Sequence, residues 1–296
     1  GNNLVNGSEC KINNYYIELY GVELYVDYTN SRVKIIRFDN ISIQIIRKII
    51  FFASKEYLGK IICNCNTDFF ESFLKAGFQL EGKIEGYFKG KDAYCMSYFI
   101  EDQRKLYSNS DKEDLILRQS LNIKNTFIHD NNFKYHIRNA VKSDSKEIAA
   151  LFSYIFFTYP SPVFDEEYLK QTMNEKVLYK VAVDNGKIVS VASADMDKGN
   201  LNAEITDCAT YPQYRSKGLL SNIIYSLESE LKNMGFMTLY SLSRAIYPGI
   251  NFVLSKHDYR FTGKLINNCN ICGGFENMNI WVKNIRRIST DLCKIE

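Results

Sequence analysis

One short segment of the sequence combines the residue types that bind phosphate groups. Arg215-Ser216-Lys217-Gly218-Leu219-Leu220-Ser221 joins a predicted strand to a predicted helix. A helix N-terminus offers unpaired N–H groups and a partial positive charge, and the glycine lets a ligand approach the backbone closely. The two cations add positive charge and the two serines add hydroxyl donors. The segment therefore predicts a pyrophosphate-binding loop, with an ordinary capped surface turn as the open alternative.

The pattern of apolar residues predicts the elements that position this loop. The loop follows a strand from Asn202 to Thr210 and leads into a long helix that Gly235 ends. Asn185-Gly186 predicts a hairpin between two earlier strands. The other predicted elements are a strand at Tyr135–Arg138, helices at Ser143–Ile155 and Asp165–Met173, the hairpin strands Val177–Val183 and Lys187–Met196, a short helix after Pro248, and strands at Thr238–Ser243, Tyr259–Ile266 and Met278–Lys283.

This order of elements resembles the GCN5-related N-acetyltransferase (GNAT) superfamily over about residues 134–283. The pyrophosphate signature of that superfamily is Arg/Gln-x-x-Gly-x-Gly/Ala, which here reads Arg215 to Leu220 after a Pro-x-Tyr. Leu220 departs from the final small residue of the signature. The resemblance implies acetyl-coenzyme A as cosubstrate. The residues that it implies for cofactor binding are Cys208, Ala209 and Thr210 beside the pantetheine arm, Arg215, Ser216, Lys217, Gly218, Leu219, Leu220 and Ser221 at the pyrophosphate, and Asn251.

Glu204 and Asp207 are the candidates for moving a proton. Amide formation needs a neutral amine, so a substrate ammonium must first lose a proton to a base. Glu204 lies eleven residues before Arg215, which matches the general-base Glu of histone-type members of the superfamily. Asp207 is the second candidate, or it holds a cationic substrate. Strand periodicity predicts that the two side chains face opposite sides, and surface carboxylates at a strand end are the alternative for both.

The residue that returns a proton to the leaving thiolate is left open by the sequence. Members of the superfamily often have a Tyr on the short helix after the Pro, and the corresponding position here is Leu254. Tyr247, Tyr240 or a water molecule are the alternatives. The pKa of a phenol, near 10, suits donation to a thiolate.

The segment from Tyr259 to Trp281, together with Asp207-Cys208-Ala209-Thr210, is similar to bacterial and archaeal β-lysine N-acetyltransferases. That family acetylates the terminal amine of β-lysine and gives a zwitterionic compatible solute. Arg244 is expected to pair with the substrate carboxylate. The expected partners of the two ammonium groups are Glu276, Asp207, Asn267 and Asn268. A surface Arg and an ordinary polar turn are the alternatives for these residues.

The sequence leaves two other functions open. The first is acetylation of another diamine, an amino acid or a protein lysine. The second is a non-catalytic acyl-coenzyme A binding module, which Leu220 and Leu254 favour because both depart from the general pattern. Glu204, Asp207 and the polar pocket residues argue for catalysis instead.

The cysteines predict neither a disulfide scaffold nor a metal site. The chain of 296 residues has 8 Cys, and several lie in apolar runs that are typical of strands. Cys269-x-x-Cys272 lacks the further ligands that zinc needs, because no second Cys-x-x-Cys or His pair accompanies it. We expect reduced thiols in a cytoplasmic protein, no metal, and a polar loop at 269–272 that lines the substrate pocket.

Charge and hydropathy exclude several classes of partner. Lys plus Arg is 37 and Asp plus Glu is 34, so the net charge is +3, which does not fit a dedicated nucleic-acid binder. Arg47 and Lys48 interrupt the most apolar stretch, Ile41–Ala53, so no membrane span is expected. The first residues show no signal-peptide pattern. The expected partner is a small-molecule amine.

Two domains are predicted, with a boundary at about residue 130. The stretch from Phe73 to Ile84 is similar to the stretch from Leu254 to Leu265, and each lies between two strand-like segments. Residues 1–130 are therefore expected to form a smaller, degenerate GNAT-like domain without the loop, ending in a linker helix at Asp114–Lys124. Residues 131–296 are expected to form the catalytic α/β (α+β) GNAT domain, a mixed, mainly antiparallel sheet flanked by helices. The first domain covers a sheet edge, shapes the substrate pocket or supports a homodimer, and the sequence leaves these alternatives open.

Overall fold

A computed structural model of the chain describes residues 13–156 and 162–286. Its first half contains a six-stranded sheet in the order β1-β2-β3-β4-β6-β5. β3 and β4 are parallel, and the other neighbours are antiparallel. The strands are β1 (Tyr15–Leu19), β2 (Val22–Asp27), β3 (Arg32–Arg37), β4 (Lys60–Cys65), β5 (Gln79–Phe88) and β6 (Lys91–Phe99).

Two helices cover one face of this sheet. α1 (Ile43–Lys55) makes the crossover between the parallel strands, and α2 (Thr67–Lys75) follows β4. Ser42 caps α1, since its hydroxyl accepts a hydrogen bond from the N–H of Ile45 at 3.2 Å. The apolar side of α1 is buried against alternate strand residues such as Val33 and Ile35. The opposite face of the sheet carries Arg32 and Lys34, and no helix of the described residues covers it as α1 and α2 cover the first face.

The second half contains a seven-stranded sheet in the order β12-β13-β11-β10-β9-β8-β7. Only β10 and β11 are parallel among these described strands. This is the predicted mixed, mainly antiparallel sheet, and the predicted α/β fold class is confirmed. The strands are β7 (His136–Asn139), β8 (Val177–Asp184), β9 (Lys187–Asp197), β10 (Asn202–Thr210), β11 (Thr238–Arg244), β12 (Arg260–Ile271) and β13 (Gly274–Asn284).

Helices lie on both faces of the second sheet. α4 (Ser145–Ile155) and α5 (Glu166–Thr172) pack on one face, and α6 (Leu219–Asn233) and α7 (Pro248–Lys256) pack on the other. Strand periodicity produces this arrangement, because successive residues of β8 such as Leu178 and Tyr179 contribute to different clusters. None of the helices in the described ranges has the length and apolar character that a membrane span requires.

The segment between the two sheets is packed against the second one. Its helix, α3 (Ser110–Leu121), begins earlier than the predicted Asp114 and ends before Lys124. The hydroxyl of Ser255 on α7 donates a hydrogen bond to the carbonyl of Ser120 at 2.6 Å. The N–H groups of Asn125 and Phe127 donate hydrogen bonds to the carbonyls of Ser255 and Lys256, the last two residues of α7. The connecting segment is therefore held against α7 by these hydrogen bonds.

Strand β12 is longer than predicted. The structure corrects the expected polar loop at 269–272, because residues through Ile271 belong to β12 and residues from Gly274 belong to β13. Only Cys272 and Gly273 form the turn, and both have positive φ angles, 53° and 85°. Side-chain periodicity missed this hairpin because polar asparagines occupy buried positions in it.

The two sheets meet at a close contact between glycines. A Cβ on Gly263 of β12 would lie 2.6 Å from the Cα of Gly82 on β5, and it would also overlap the carbonyl group of Glu81. A buried ion pair of 2.7 Å between Lys60 and Glu81 adjoins this contact. Both of its members also bond the backbone of Ile266, through its carbonyl and its N–H, each at 2.7 Å. The pair is therefore satisfied by hydrogen bonds that cross the interface.

The contact joins equivalent positions of the predicted repeat. Gly82 and Gly263 occupy the same place in the two similar stretches, and both are followed by Lys. Contact between equivalent residues is the mark of a two-fold, or isologous, interface. The two halves of this chain therefore pack as the subunits of a symmetric dimer would, although they belong to one polypeptide.

We predict that Gly263→Ala destabilises the protein by about 1–3 kcal/mol, because the added methyl overlaps backbone atoms that cannot rotate away. Urea unfolding measures the effect. Gly274→Ala is the matched control, since a Cβ there meets no atom within 4 Å. Equal free energies of unfolding for the two variants would contradict the tight interface.

Candidate active site

The predicted pyrophosphate-binding loop lies at the N-terminus of α6. Gly218 is the N-cap, with φ 75° and ψ 14°, a left-handed conformation that favours glycine. The first turn of α6 contains no acidic residue, so nothing there offsets the partial positive charge of the helix end. The leading N–H groups of a helix have no intrahelical acceptor. The geometry is that of an anion-binding helix terminus.

Most of the predicted loop residues border one large cavity of about 1190 Å³. Lys217 is exposed and lies outside the cavity lining. The hydroxyl of Ser221 is 3.0 Å from Nε2 of His257, a partner that the sequence did not suggest. Burial lowers the pKa of His257 to about 3, so its ring is neutral at pH 7. The predicted loop residues in the lining are Arg215, Ser216, Gly218, Leu219, Leu220 and Ser221.

Strands β10 and β11 separate beside the loop. Their parallel pairing covers Asn202, Ala203 and Glu204 and then stops, although both strands continue. The next part of β10 pairs only with β9 among the described strands. The opening between β10 and β11 is part of the cavity. Cys208, Ala209 and Thr210, predicted to border the pantetheine arm, all lie in its lining.

Glu204 and Asp207 both line this cavity, as does every residue between them. Strict alternation fails because the register between β10 and β9 shifts between Thr206 and Ala209. Asp207 has a positive φ of 47° at this β-bulge. The charge of Asp207 acts on the carboxyl group of Glu204. A bulge of this kind leaves no regular signal in the sequence.

The surroundings of Glu204 make it a weaker acid than usual. Burial raises the pKa of Glu204 to about 7, and the nearby carboxylates of Asp195 and Asp207 act in the same direction. Asp195 is the residue directly opposite Glu204 on β9. Lys34 and Arg32 of the first sheet act in the opposite direction. A carboxyl group with a pKa near 7 is well matched to accepting a proton at neutral pH.

Arg244 and Glu276 bind each other in the structure. Nε and Nη2 of Arg244 donate to the two carboxylate oxygens of Glu276 at 2.9 and 2.8 Å. Tyr247, which is 48% exposed, places its ring 5.0 Å from the same guanidinium group. The protein itself thus supplies a carboxylate partner for Arg244, and Glu276 lies outside the cavity lining.

Asn251 is fully buried and does not border the cavity. Its Nδ2 donates to the carbonyls of Arg244 and Tyr247 at 2.9 and 2.7 Å. Its Oδ1 accepts from Nε1 of Trp281 at 2.9 Å. These bonds fix the turn between β11 and α7, so the structure gives Asn251 a positioning role. Leu254, at the usual position of the acid, is buried in the core.

The adjacent asparagines Asn267 and Asn268 have different surroundings. Nδ2 of Asn267 donates to the carbonyls of Arg104 and Leu106 at 2.8 and 2.9 Å, so this side chain ties β12 to the connecting segment. It lies outside the main cavity. Asn268 lines the cavity, and its buried Oδ1 has no hydrogen-bond partner among the described residues.

The cavity has a second wall, which the first sheet provides. The face without a covering helix contributes side chains from several strands, so the first domain shapes the pocket. The sequence offered a signal for this face, because Arg32 and Lys34 alternate with the apolar Val33 and Ile35. The first-sheet residues in the lining include Tyr16, Tyr25, Asp27, Arg32, Lys34, Ile62, Asn64, Cys95 and Ser97. Cys269 is buried and Cys272 exposed, and no metal-binding group of His, Cys, Asp or Glu occurs in the described parts of the chain.

Comparison with known proteins identifies the family. A model described as "Acetyltransferase (GNAT) domain" matches residues 136–254. A β-lysine N(6)-acetyltransferase of Methanosarcina mazei is 40% identical over 252 residues, 78% of this chain and 93% of that protein. Another from Methanococcus maripaludis is 32% identical and covers 90% of this chain and 97% of that protein. The N-acetyltransferase YodP of Bacillus subtilis is 33% identical, and the match covers 91% of this chain and 98% of that protein. This chain therefore belongs to the GNAT acetyltransferase family, and it is an N-acetyltransferase.

Proposed function

We propose that this enzyme transfers the acetyl group of acetyl-coenzyme A to the terminal amine of β-lysine. The main support is the position of Glu204, which lines the cavity at the point where β10 and β11 separate. Two relatives that match most of the chain are named β-lysine N(6)-acetyltransferases, which supports the substrate. The product keeps one carboxylate and one ammonium group and has no net charge, as suits a compatible solute.

Acetyl-coenzyme A fits the loop and the opening beside it. The pyrophosphate would accept hydrogen bonds from the first turn of α6, and Arg215 would add positive charge. The unpaired edge of β10 at Cys208–Thr210 offers backbone groups to the amides of the pantetheine arm. Such binding places the thioester in the opening between β10 and β11, next to Glu204. The cosubstrate supplies an activated acetyl group there.

Proton transfer then follows from the carboxylates of β10. Glu204 accepts a proton from the substrate ammonium, and the neutral nitrogen attacks the thioester carbonyl carbon. A carbon–nitrogen bond forms and the carbon–sulfur bond breaks, and the proton that the acetylated nitrogen releases passes through water to restore the proton donor of the thiolate. Asp195 and Asp207 stabilise the positive charge of the incoming ammonium group. Tyr247, at the start of α7, is the proposed donor of a proton to the departing thiolate.

The rates with different amine acceptors test the substrate. Thiol release from acetyl-coenzyme A is expected to be fastest with β-lysine and slower by at least about tenfold with α-lysine, spermidine or a lysine-containing peptide. The second-sheet wall of the cavity carries the carboxyl groups of Asp195, Glu204 and Asp207, and the first-sheet wall carries Arg32 and Lys34, an arrangement that suits a small zwitterion. Tight cofactor binding with no turnover of any amine would contradict the proposal and favour a binding module. Equal turnover of all amines would contradict the β-lysine assignment.

The pH dependence of kcat/KM tests the role of Glu204. Only the deprotonated form of Glu204 accepts a proton, so kcat/KM is expected to fall about tenfold per pH unit below pH 7 and to level off above it. In Glu204→Gln, we expect kcat to fall about 100-fold or more and this acidic limb to disappear.

Glu71→Gln is the matched control, since Glu71 is exposed on α2, on the far side of the first sheet. Its pH profile should equal that of the unsubstituted enzyme. Full activity of Glu204→Gln at neutral pH would rule out Glu204 as the base.

A further inference from the structure

The strand registers show that Lys34 and Glu204 occupy equivalent positions in the two domains. In the first sheet, the parallel pairing begins at Arg32 opposite Lys60 and reaches Lys34 opposite Ile62. In the second, it begins at Asn202 opposite Thr238 and reaches Glu204 opposite Tyr240. Lys34 and Glu204 are thus each the third residue of the parallel pairing in their own sheet.

The antiparallel partners confirm this alignment. Gly82 pairs with Cys95, and Gly263 pairs with Ile280. Counting four residues onward from each partner reaches Phe99 and Asn284, which pair with Lys60 and Thr238. The two parallel pairings therefore start at equivalent residues. Because the halves pack in a two-fold manner, Lys34 and Glu204 face the same cavity from opposite walls.

The first sheet contributes two cations to the cavity lining, Arg32 and Lys34, and in the described residues only Arg32 has a carboxylate partner. Arg32 is held by Asp27 at 3.1 Å and Arg244 by Glu276 at 2.8 Å. The remaining cations of the lining belong to the second domain: Lys176 is exposed, Arg215 lies at the loop of α6, and Lys256 ends α7. Lys34 is partly buried, and within the described ranges it has neither a hydrogen bond nor an ion pair within 4.0 Å. Its ammonium group is thus available to an anion inside the cavity.

Burial makes an anionic partner favourable for Lys34. Removal from water lowers the pKa of Lys34, and the charge of Arg32 acts in the same direction. A carboxylate placed beside the ammonium group would offset this loss of solvation. The protein carboxylates that act on Lys34 include those of Glu204, Asp27 and Asp195, and none of them forms an ion pair with it.

Asn268 provides an acceptor next to the same wall. Its backbone carbonyl accepts a hydrogen bond from Nη1 of Arg32 at 2.8 Å, which places Asn268 beside β3. Its side chain is 1% exposed, and its Oδ1 lacks a partner in the described residues. An unsatisfied buried carbonyl oxygen is costly unless a ligand or water donates to it. An ammonium group is a donor of the required kind.

We propose that the first domain supplies the recognition site for the amino-acid end of the acceptor, in which Lys34 binds its carboxylate and Asn268 accepts a hydrogen bond from its β-ammonium group. The proposal rests on β-lysine being the acceptor. It assigns specificity to a domain that lacks the pyrophosphate-binding loop, and it leaves the terminal amine directed toward Glu204 on the opposite wall. Arg244 is then not needed for the carboxylate, which agrees with its pairing to Glu276.

The test compares two acceptors that differ only in the carboxylate. The full-length enzyme and its variants are assayed with β-lysine and with its decarboxylated analogue, 1,4-diaminopentane. In Lys34→Met, KM for β-lysine is expected to rise about 10- to 100-fold with little change in kcat, the size expected for loss of a charge-assisted hydrogen bond. The discrimination between the two acceptors should fall by the same factor. Lys34→Arg should restore most of it.

Lys83→Met is the matched control, because Lys83 also belongs to the first sheet but pairs with Asp92 outside the cavity. Its KM values should equal those of the unsubstituted enzyme. If that enzyme acetylates β-lysine and Lys34→Met keeps the same KM and the same discrimination, the carboxylate site is overturned while the proposed function stands. If the unsubstituted enzyme does not acetylate β-lysine, the proposed function fails and this inference fails with it.

Discussion

The backbone contact between Gly82 and Gly263 sets the distance between the two sheets, and therefore the shape of the cavity between them. Side chains at these positions would separate β5 from β12, and with them the two sheets. The contact holds the helix-free face of the first sheet opposite the opening between β10 and β11. The buried bonds of Lys60 and Glu81 to Ile266 fix the register of that approach. A cavity with two protein walls is the consequence.

The two halves use one fold for two different tasks. The second half keeps the glycine-containing loop, the opening in the sheet and a carboxyl group whose pKa burial raises to about 7. The first half has no such loop and places Lys34 where the second has Glu204. A symmetric dimer of catalytic domains would place like charges at both positions. Joining the halves in one chain lets the walls carry opposite charges, which suits a zwitterionic acceptor.

The sequence predicted the features that depend on local chemistry. The loop at Gly218, the Asn185-Gly186 hairpin and the repeat around Gly82 all lie where expected, and the family is confirmed by the relatives. The errors concern features set by tertiary packing. The β-bulge at Asp207 interrupts the side-chain alternation of β10. The buried Asn267 and Asn268 give part of β12 the polar composition that is typical of a loop. Pairing of distant residues, such as Arg244 with Glu276 across two strands, leaves no mark in local periodicity.

The central claim is that the acceptor binds between the two domains and contacts both. A crystal structure of the full chain with coenzyme A and β-lysine tests it most directly. We expect the carboxylate of β-lysine to lie within hydrogen-bond distance of Nζ of Lys34, and its terminal nitrogen to point to the opening beside Glu204. An acceptor bound only by residues of the second domain, without contact to the first sheet, would show that the first domain does not recognise the substrate.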